Sequence, residues 1–379
     1  MSQLKKDIPT VVFATHAYGD ARTGPAVYAR YLWEAFRDDP EIRFHLVSPD
    51  GPNNHRCSHL FRPTSSSARC FYRTLLKSAH ELAQVLKVPG ILHLNAPHYG
   101  SVRALRGWQL WLQLNDYEGP HLFRSMLDNL QQNGLRRLLA LSVRRWYERR
   151  ALRICDLALA NSEYTRSEFL SAYPEIPREK IQTLYKAVDT DFFKGVRAPV
   201  ASTAGRRFVF LGSNFKIKRL NIALEAFARL DSSQSTLAIA GCELPEFIRA
   251  YPVLSSQAND TRVRFYGRLS RAEVKDLLLR SDVLVLPSRQ EGLGVAALEA
   301  IACGCRVLAS RTGGLPEIVR NSDIGRLIDD SSPHAWTQAM RQELTTISLT
   351  DSMKDVALKH FTAENMIGRL RDLYLKTFT

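Results

Sequence analysis

Residues 281–319 read SDVLVLPSRQEGLGVAALEAIACGCRVLASRTGGLPEIV. The run at 283–286 has no polar alternation and reads as a strand buried on both faces of a parallel sheet. Pro287 and Ser288 end it, and a loop carries Glu291-Gly292-Leu293-Gly294 into a helix over about 295–303. That helix is apolar on almost every side (Val295, Ala296, Ala297, Leu298, Ala300, Ile301), as buried helices are. Two carboxylates interrupt the pattern, Glu291 just ahead of the helix and Glu299 in its middle. Taking an ionised carboxylate out of water is costly unless hydroxyls, amides or cations compensate.

The glycines suggest what compensates. Gly292 and Gly294 let a ligand approach the backbone, and free N–H groups at a helix start favour anions. Glu291 and Glu299 are separated by ~12 Å of rise if helical throughout, one at the helix mouth and one deeper. Carboxylates repel phosphate, so sugar or ribose hydroxyls are their natural donors. On spacing alone, an ordinary helix-start charge at Glu291 and a salt-bridged Glu299 is an equal reading.

A chain of 379 residues suggests two domains, each able to bury its own core. No run of eighteen apolar residues exists, so nothing in the sequence spans a bilayer. The opening MSQLKKDIPTVVFA is too short in apolar residues for a secretory signal. Six cysteines (57, 70, 155, 242, 303, 305) lack metal-ligand spacing and are expected to be reduced. Together these features predict a cytoplasmic protein. The net charge of +14 suits nucleic acid, anionic lipid or a phosphorylated substrate, and alone chooses none of them.

Outward from the opening stretch, the N-terminal half alternates strands and helices. Residues 10–14 read as a strand, and Pro25 after Gly24 starts a helix over 26–36, a second helix mouth. Residues 42–47 read as a strand and 51–68 as a polar loop. Strands at 91–95 and 110–114 each end in polar residues: Asn95, His98 and Tyr99 after one, Asn115, Asp116, Tyr117 and Glu118 after the other. Open α/β sheets bind ligands beyond such ends, although for any one of these residues a mere turn role reads as well. Residues 134–153 carry seven arginines and one acid, with Trp146 and aliphatics interleaved. This is a basic amphipathic helix that suits an anionic membrane surface, or equally one packing its stripe on its own domain. Residues 156–160 and 184–189 read as further strands. Asp189-Thr190-Asp191 has the shape of a metal-gripping Asp-x-Asp but no companion carboxylates, so no metal is expected.

Residues 195–207, small and polar, read as a linker, after which the pattern restarts. A strand at 208–211 runs into Gly212-Ser213-Asn214-Phe215-Lys216-Ile217-Lys218-Arg219, and a helix follows over 220–230. A glycine and cations at a helix opening suit a pyrophosphate. With strands at 237–240 and 263–265, the latter leading to Gly267-Arg268, the alternation predicts two doubly wound α/β domains.

These stretches together resemble the retaining family-4 glycosyltransferases. The likeness rests on EGLGVAALEAIACG with its E-x7-E pair, GGLPEIV at 313–319, RFYGRLSRAEV at 264–274, DLALANSEYTRSEFL at 156–170, YKAVDTDFF at 185–193 and the 212–218 loop. That loop looks most like the loop of lipopolysaccharide-core glucosyltransferases. The resemblance implies the GT-B architecture, two Rossmann-like domains facing a central cleft: an acceptor domain over 1–194, a linker over 195–207, and a nucleotide-sugar domain over 208–359. It also implies a last helix, over 360–379, that crosses back to the first domain.

By the same resemblance Lys218 contacts the diphosphate, together with Gly24, Gly212, Ser213 and Arg219. Glu291 holds the sugar, Glu299 the ribose, and Arg268 lies beside the base. Amides from Gly292 through Leu293 and Gly294 to Val295 assist, and Asn115 and Asp116 face the reacting carbon. Four departures from the family pattern stand out. Ser213 replaces an arginine, Arg219 the glycine of a Lys-Gly pair, Asn115 a histidine, and Lys186-Ala187 an Asn-Gly. The implied activity is retaining transfer of a hexose from a UDP-sugar, favoured over GDP-mannose, to a cell-envelope glycan or glycolipid such as lipopolysaccharide. The implied setting is the inner face of the plasma membrane, with no cofactor, no metal and no nucleic acid. A nucleotide-binding protein without turnover and a sugar-nucleotide epimerase are the alternative readings.

Overall fold

The computed structural model describes residues 8–18, 24–52, 54–62, 68–95, 102–115, 134–197, 205–346 and 349–378. Asp116 therefore lies outside the described residues, as do His98, Tyr99, Tyr117 and Glu118. The chain forms two compact units, Met1–Tyr185 with Met366–Thr379, and Lys186–Asn365.

Among the described residues the first unit holds seven parallel strands: β1 Thr10–Thr15, β2 Arg43–Ser48, β3 Ser58–Leu60, β4 Gly90–Asn95, β5 Trp108–Leu114, β6 Leu157–Ala160 and β7 Ile181–Thr183. Their order is β3-β2-β1-β4-β5-β6-β7. β1, β4 and β6 are buried at every position, because helices cover both faces of a parallel sheet. β3 falls inside the stretch read as loop. Its three residues, Ser-His-Leu, form no apolar run and are held by pairing with β2 and by the contact of the His59 and His45 rings, 3.1 Å between nitrogens. The strand expected over 184–189 ends instead at Thr183, and beyond it Val188 makes a single bridge to Thr362.

The last helix, Ala363–Lys376, buries Met366, Leu370 and Tyr374. Tyr374 stacks on Trp111 of β5 at 5.2 Å between centroids and hydrogen-bonds His93 Nδ1 of β4 at 2.7 Å. Burial pushes His93 down to about 3, so its ring is neutral. Arg371 reaches Asp39 at 3.1 Å and also Glu41.

Among the described residues the second unit has six parallel strands: β8 Arg207–Leu211, β9 Thr236–Ala240, β10 Val263–Gly267, β11 Val283–Leu286, β12 Arg306–Ser310 and β13 Gly325–Ile328, in the order β10-β9-β8-β11-β12-β13. In each sheet the order reverses beside the first strand, at β1/β4 and at β8/β11. Ligands of doubly wound sheets sit outside the strand ends at that crevice.

The division between units falls at Tyr185/Lys186, ahead of the 195–207 stretch. The reason is local to the second unit. Asp189 accepts from Phe192 N at 2.8 Å, capping the short helix Thr190–Phe193, and pairs with Arg271 at 3.3 Å. The Arg271 guanidinium lies 4.0 Å over the Phe192 ring, and Phe193 is buried. Both carboxylates of the Asp-x-Asp have partners, Asp191 pairing with Lys194. All six cysteines are free, and those at 303 and 305 are buried.

Candidate functional site

At the carboxyl end of β11, Ser288 Oγ donates to Glu291 Oε1 at 2.8 Å. Lys218 Nζ donates to the same oxygen at 2.5 Å. Glu291 is buried, and Lys218 is about one-quarter exposed. The pair joins the loops after β8 and β11, neighbouring strands at the reversal point. A backbone bond from Arg289 N to Ile217 O at 2.9 Å holds the two loops together.

Two glycine positions set the shape of this wall. Gly294 caps the helix Val295–Ala302 with φ +101, where a side chain would be strained. Gly313, at φ +59, runs so close beneath the loop that a Cβ there would lie 1.8 Å from Glu291 O. The segment after β12 thus supports Glu291 from below. Leu293 is buried, while Gly292 and Val295 are half-buried at the helix mouth.

The 212–219 loop is a compact turn. Lys218 N bonds Asn214 O at 3.0 Å, and Gly212 leaves no room for a side chain beside Lys218 Cγ, 2.8 Å from a Cβ built there. Arg219 occupies the left-handed region, φ 52 and ψ 49, at the start of the helix Leu220–Ala228. Burial and the neighbouring Arg289 both disfavour its charged form. A cationic loop under that strain, opening a helix, is suited to an anion.

Ser213, Asn214, Lys216 and Arg268 share an open cavity of about 520 Å³ with Glu246 and Arg249 from the helix Leu244–Ala250. Sequence reasoning missed those last two. Residues 246 and 249 share a helix face after Gly241, but nothing in their local sequence ties that face to the 212–219 loop. Ser213 is exposed in this cavity, where Arg249 and Arg268 supply positive charge.

Glu299 stands apart from the Lys218 pair. Burial pushes its carboxyl from 4.5 up to about 7, against the opposing pull of Arg271. Its folded form therefore holds a proton between pH 4.5 and about 7 that the unfolded chain has released, and stability falls as pH rises through that window. Glu299→Gln is expected to raise stability at pH 8, by an amount on the order of 2 kcal/mol, and to do nearly nothing at pH 4.5. Thermal unfolding at the two pH values checks this, and an equal effect at both would refute it.

The remaining candidates belong to the first unit. Asn115 follows β5, its Nδ2 donating to Asn95 Oδ1 at 3.0 Å, while its carbonyl accepts from Asn161 Nδ2. Asn95 in turn donates to Thr15 Oγ1 at 3.2 Å. The ends of β1, β4, β5 and β6 are thus joined by an amide network, which can orient hydroxyls but moves no proton at neutral pH. Gly24 is the exposed first residue of the helix Gly24–Phe36.

Two doubly wound parallel sheets, the second carrying a lysine–glutamate pair beside a glycine-gated helix mouth, define the class. Residues 22–192 match the family described as Glycosyltransferase Family 4, and residues 197–359 match Glycosyl transferases group 1. The chain belongs to these glycosyltransferases, and its fold is GT-B. It is 26% identical over 208 residues to N-acetyl-alpha-D-glucosaminyl L-malate synthase of Bacillus anthracis, covering 52% of this chain and 54% of that protein. The chain spans about half the length of such curated relatives. Among solved structures it resembles Anabaena HepE in complex with UDP-glucose, with TM-score 0.69, 17% identity, and coverage of 97% of this chain and 99% of that one. It also resembles WaaG, a glycosyltransferase involved in lipopolysaccharide biosynthesis, with TM-score 0.67, 16% identity, and coverage of 97% and 98%. At these identities the structures bear on the fold alone.

Proposed function

We propose that the chain is a retaining glycosyltransferase that moves a hexose from a UDP-sugar to a cell-envelope glycan or glycolipid. The observation that carries this reading is the contact of Lys218 with Glu291 at the mouth of the helix Val295–Ala302. A buried carboxylate held by a lysine and a serine has oxygen lone pairs left for sugar hydroxyls. The lysine, Arg219 and the helix-start amides stand ready for the charge that develops on a departing diphosphate. Preorganised charge of this kind is usually the largest catalytic contribution. Arg268 and the cavity it lines suit the base, and Glu299 the ribose. UDP is favoured over GDP because the 212–218 loop resembles that of lipopolysaccharide-core glucosyltransferases.

The acceptor is assigned to the first unit, whose strand-end amide network offers hydroxyl-binding groups. Membrane contact is assigned to the helix Gly134–Ile154. Its inner side buries Ala151 and Leu152, while Val143 and Trp146 stay more than half exposed among arginines, a pattern that suits an anionic lipid surface. No helix among the described residues is long and apolar enough to cross a membrane.

Calorimetric titration with UDP, GDP, UDP-glucose and GDP-mannose tests the reading. UDP-glucose is expected to bind, and Lys218→Ala to lower kcat/KM for donor turnover at least tenfold, ~1.4 kcal/mol. Failure of every nucleotide sugar to bind would overturn it. Asn115, which cannot carry a proton as the usual histidine does, favours a second reading: a nucleotide-binding protein without turnover. Binding of UDP-glucose with neither hydrolysis nor transfer would select that reading.

A further inference from the structure

Three arginines from three segments converge on a second cavity of the second unit, away from the 212–219 loop. Its volume is about 420 Å³, and Arg311, Arg320 and Arg326 line it with Asn321, Gly325 and Leu327. Arg311 follows β12, Arg320 follows the short helix Leu315–Ile318, and Arg326 lies on β13. Arg311 has an acid partner, Asp329 at 2.8 Å, but both side chains are more than half exposed, so the pair is weak. Arg320 donates from Nε to the Glu317 carbonyl at 2.7 Å and lies 6.0 Å over the Phe361 ring. Neither it nor Arg326 has a carboxylate partner among the described residues. Three guanidinium forks around one open volume are matched in charge and geometry by a phosphate.

The wall behind them is fixed. Asn321 Oδ1 accepts from the amides of Asp323 and Ile324, each at 3.2 Å. Buried Arg306 ties down the carbonyl of Ser322 at 2.8 Å and that of Asp323 at 2.5 Å. β13 is the outermost strand of its sheet among the described residues, so its outer edge adds amides that no described strand takes. A four-residue edge bearing an arginine is a poor template for strand addition. The volume falls in the range of small-molecule sites.

We propose that this cavity binds a phosphate-bearing small molecule and that its occupancy is felt at the Glu291 loop. The connection is short. Arg311 and Arg320 bracket residues 312–319, and within them Gly313 and Gly314 pack directly beneath Glu291 and Gly292, where a Cβ would lie 1.8 and 2.7 Å from the respective carbonyl oxygens. Leu315 packs against Gly294 in the same way, 2.6 Å from a Cβ built there. A ligand drawing the arginines together pulls on both ends of the segment that supports that loop. The binding site stands on its own residues, and the functional consequence alone rests on the donor reading above.

The test uses inorganic phosphate and a hexose 6-phosphate as probes, with chloride at matched ionic strength as control. Calorimetry and thermal unfolding are followed for the wild type, Lys218→Ala, and the double variant Arg320→Gln/Arg326→Gln. The wild type and Lys218→Ala are expected to bind the hexose phosphate alike, and the double variant at least tenfold more weakly. UDP affinity without probe should be the same in the wild type and the double variant. With probe it should change at least threefold in the wild type alone. Equal probe binding by the double variant, a response no larger than that to chloride, or loss of the response in Lys218→Ala would each overturn the site. An intact probe response in a chain that binds no UDP would instead refute the donor reading and leave the site standing.

Discussion

Gly313→Ala is expected to lower kcat/KM for donor turnover at least a hundredfold while leaving the chain folded. The Cβ would sit 1.8 Å from Glu291 O, 2.7 Å from its carbonyl carbon and 3.1 Å from its Cα, all backbone atoms that no rotamer change can move aside. The φ of +59 adds about 1–2 kcal/mol of left-handed strain for alanine. Restoring an ordinary contact requires the Glu291 backbone to move by more than 1 Å, and misplacement on that scale costs roughly a hundredfold in rate. The displacement also breaks the register of Glu291 with Ser288 and Lys218. Gly368→Ala is the matched control. It lies in the helix Ala363–Lys376 with nothing within 4 Å of the added carbon, so activity should stay at the wild-type level. Steady-state kinetics with UDP-glucose, alongside thermal unfolding of both variants, decides the matter. A Gly313→Ala enzyme with wild-type kcat/KM would show that the loop does not depend on its support.

Most strands of both sheets were legible because strands of a parallel sheet are covered on both faces and read as unbroken apolar runs. Where no apolar run marks the strand, as at Ser58–Leu60, composition is silent. Residues 184–189 mislead in the opposite direction. Leu184, Ala187 and Val188 are buried and look like a strand, but Leu184 N bonds Ala160 O at 2.8 Å whereas Val188 N bonds Phe361 O at 2.8 Å, so no single strand neighbour takes the segment. Asp189 and Phe192 find their partner in Arg271, far ahead in sequence, a contact that local residue order does not reveal. At the site, the carboxylate pair, the 212–219 loop and the glycines could be read from residue types in their local order. The Lys218–Glu291 contact could not, because it depends on β8 and β11 being neighbours. Glu246 and Arg249 were missed for the same reason. An exposed helical pair carries no mark of the cavity until Ser213 and Arg268 are placed across from it.

The second large effect is one of stability. Arg306→Met is expected to cost about 3–5 kcal/mol, and the double variant Arg306→Met/Glu343→Leu to recover most of that. Arg306 Nε meets Glu343 Oε2 at 2.6 Å with side-chain exposures of 9% and 0%. Glu343 Oε2 otherwise accepts only from Thr346 Oγ1, at 2.9 Å, among the described residues. Deleting the arginine leaves a carboxylate with no route to water, which must either stay charged without a cation or take up a proton to fold. Replacing both partners removes that demand and substitutes apolar contact, so the pair's net worth is much smaller than the cost of breaking it. Loss of 3–5 kcal/mol in a unit of this size lowers Tm by roughly 10 °C, at 2–4 °C per kcal/mol. Urea unfolding of both single variants and the double variant gives the coupling directly. The single variants should each fall well below the double, because each strands one charge. If Arg306→Met and the double variant proved equally unstable, the arginine's bonds to the Ser322 and Asp323 carbonyls would carry the stabilisation, and the wall those carbonyls form behind the three-arginine cavity would depend on this one side chain.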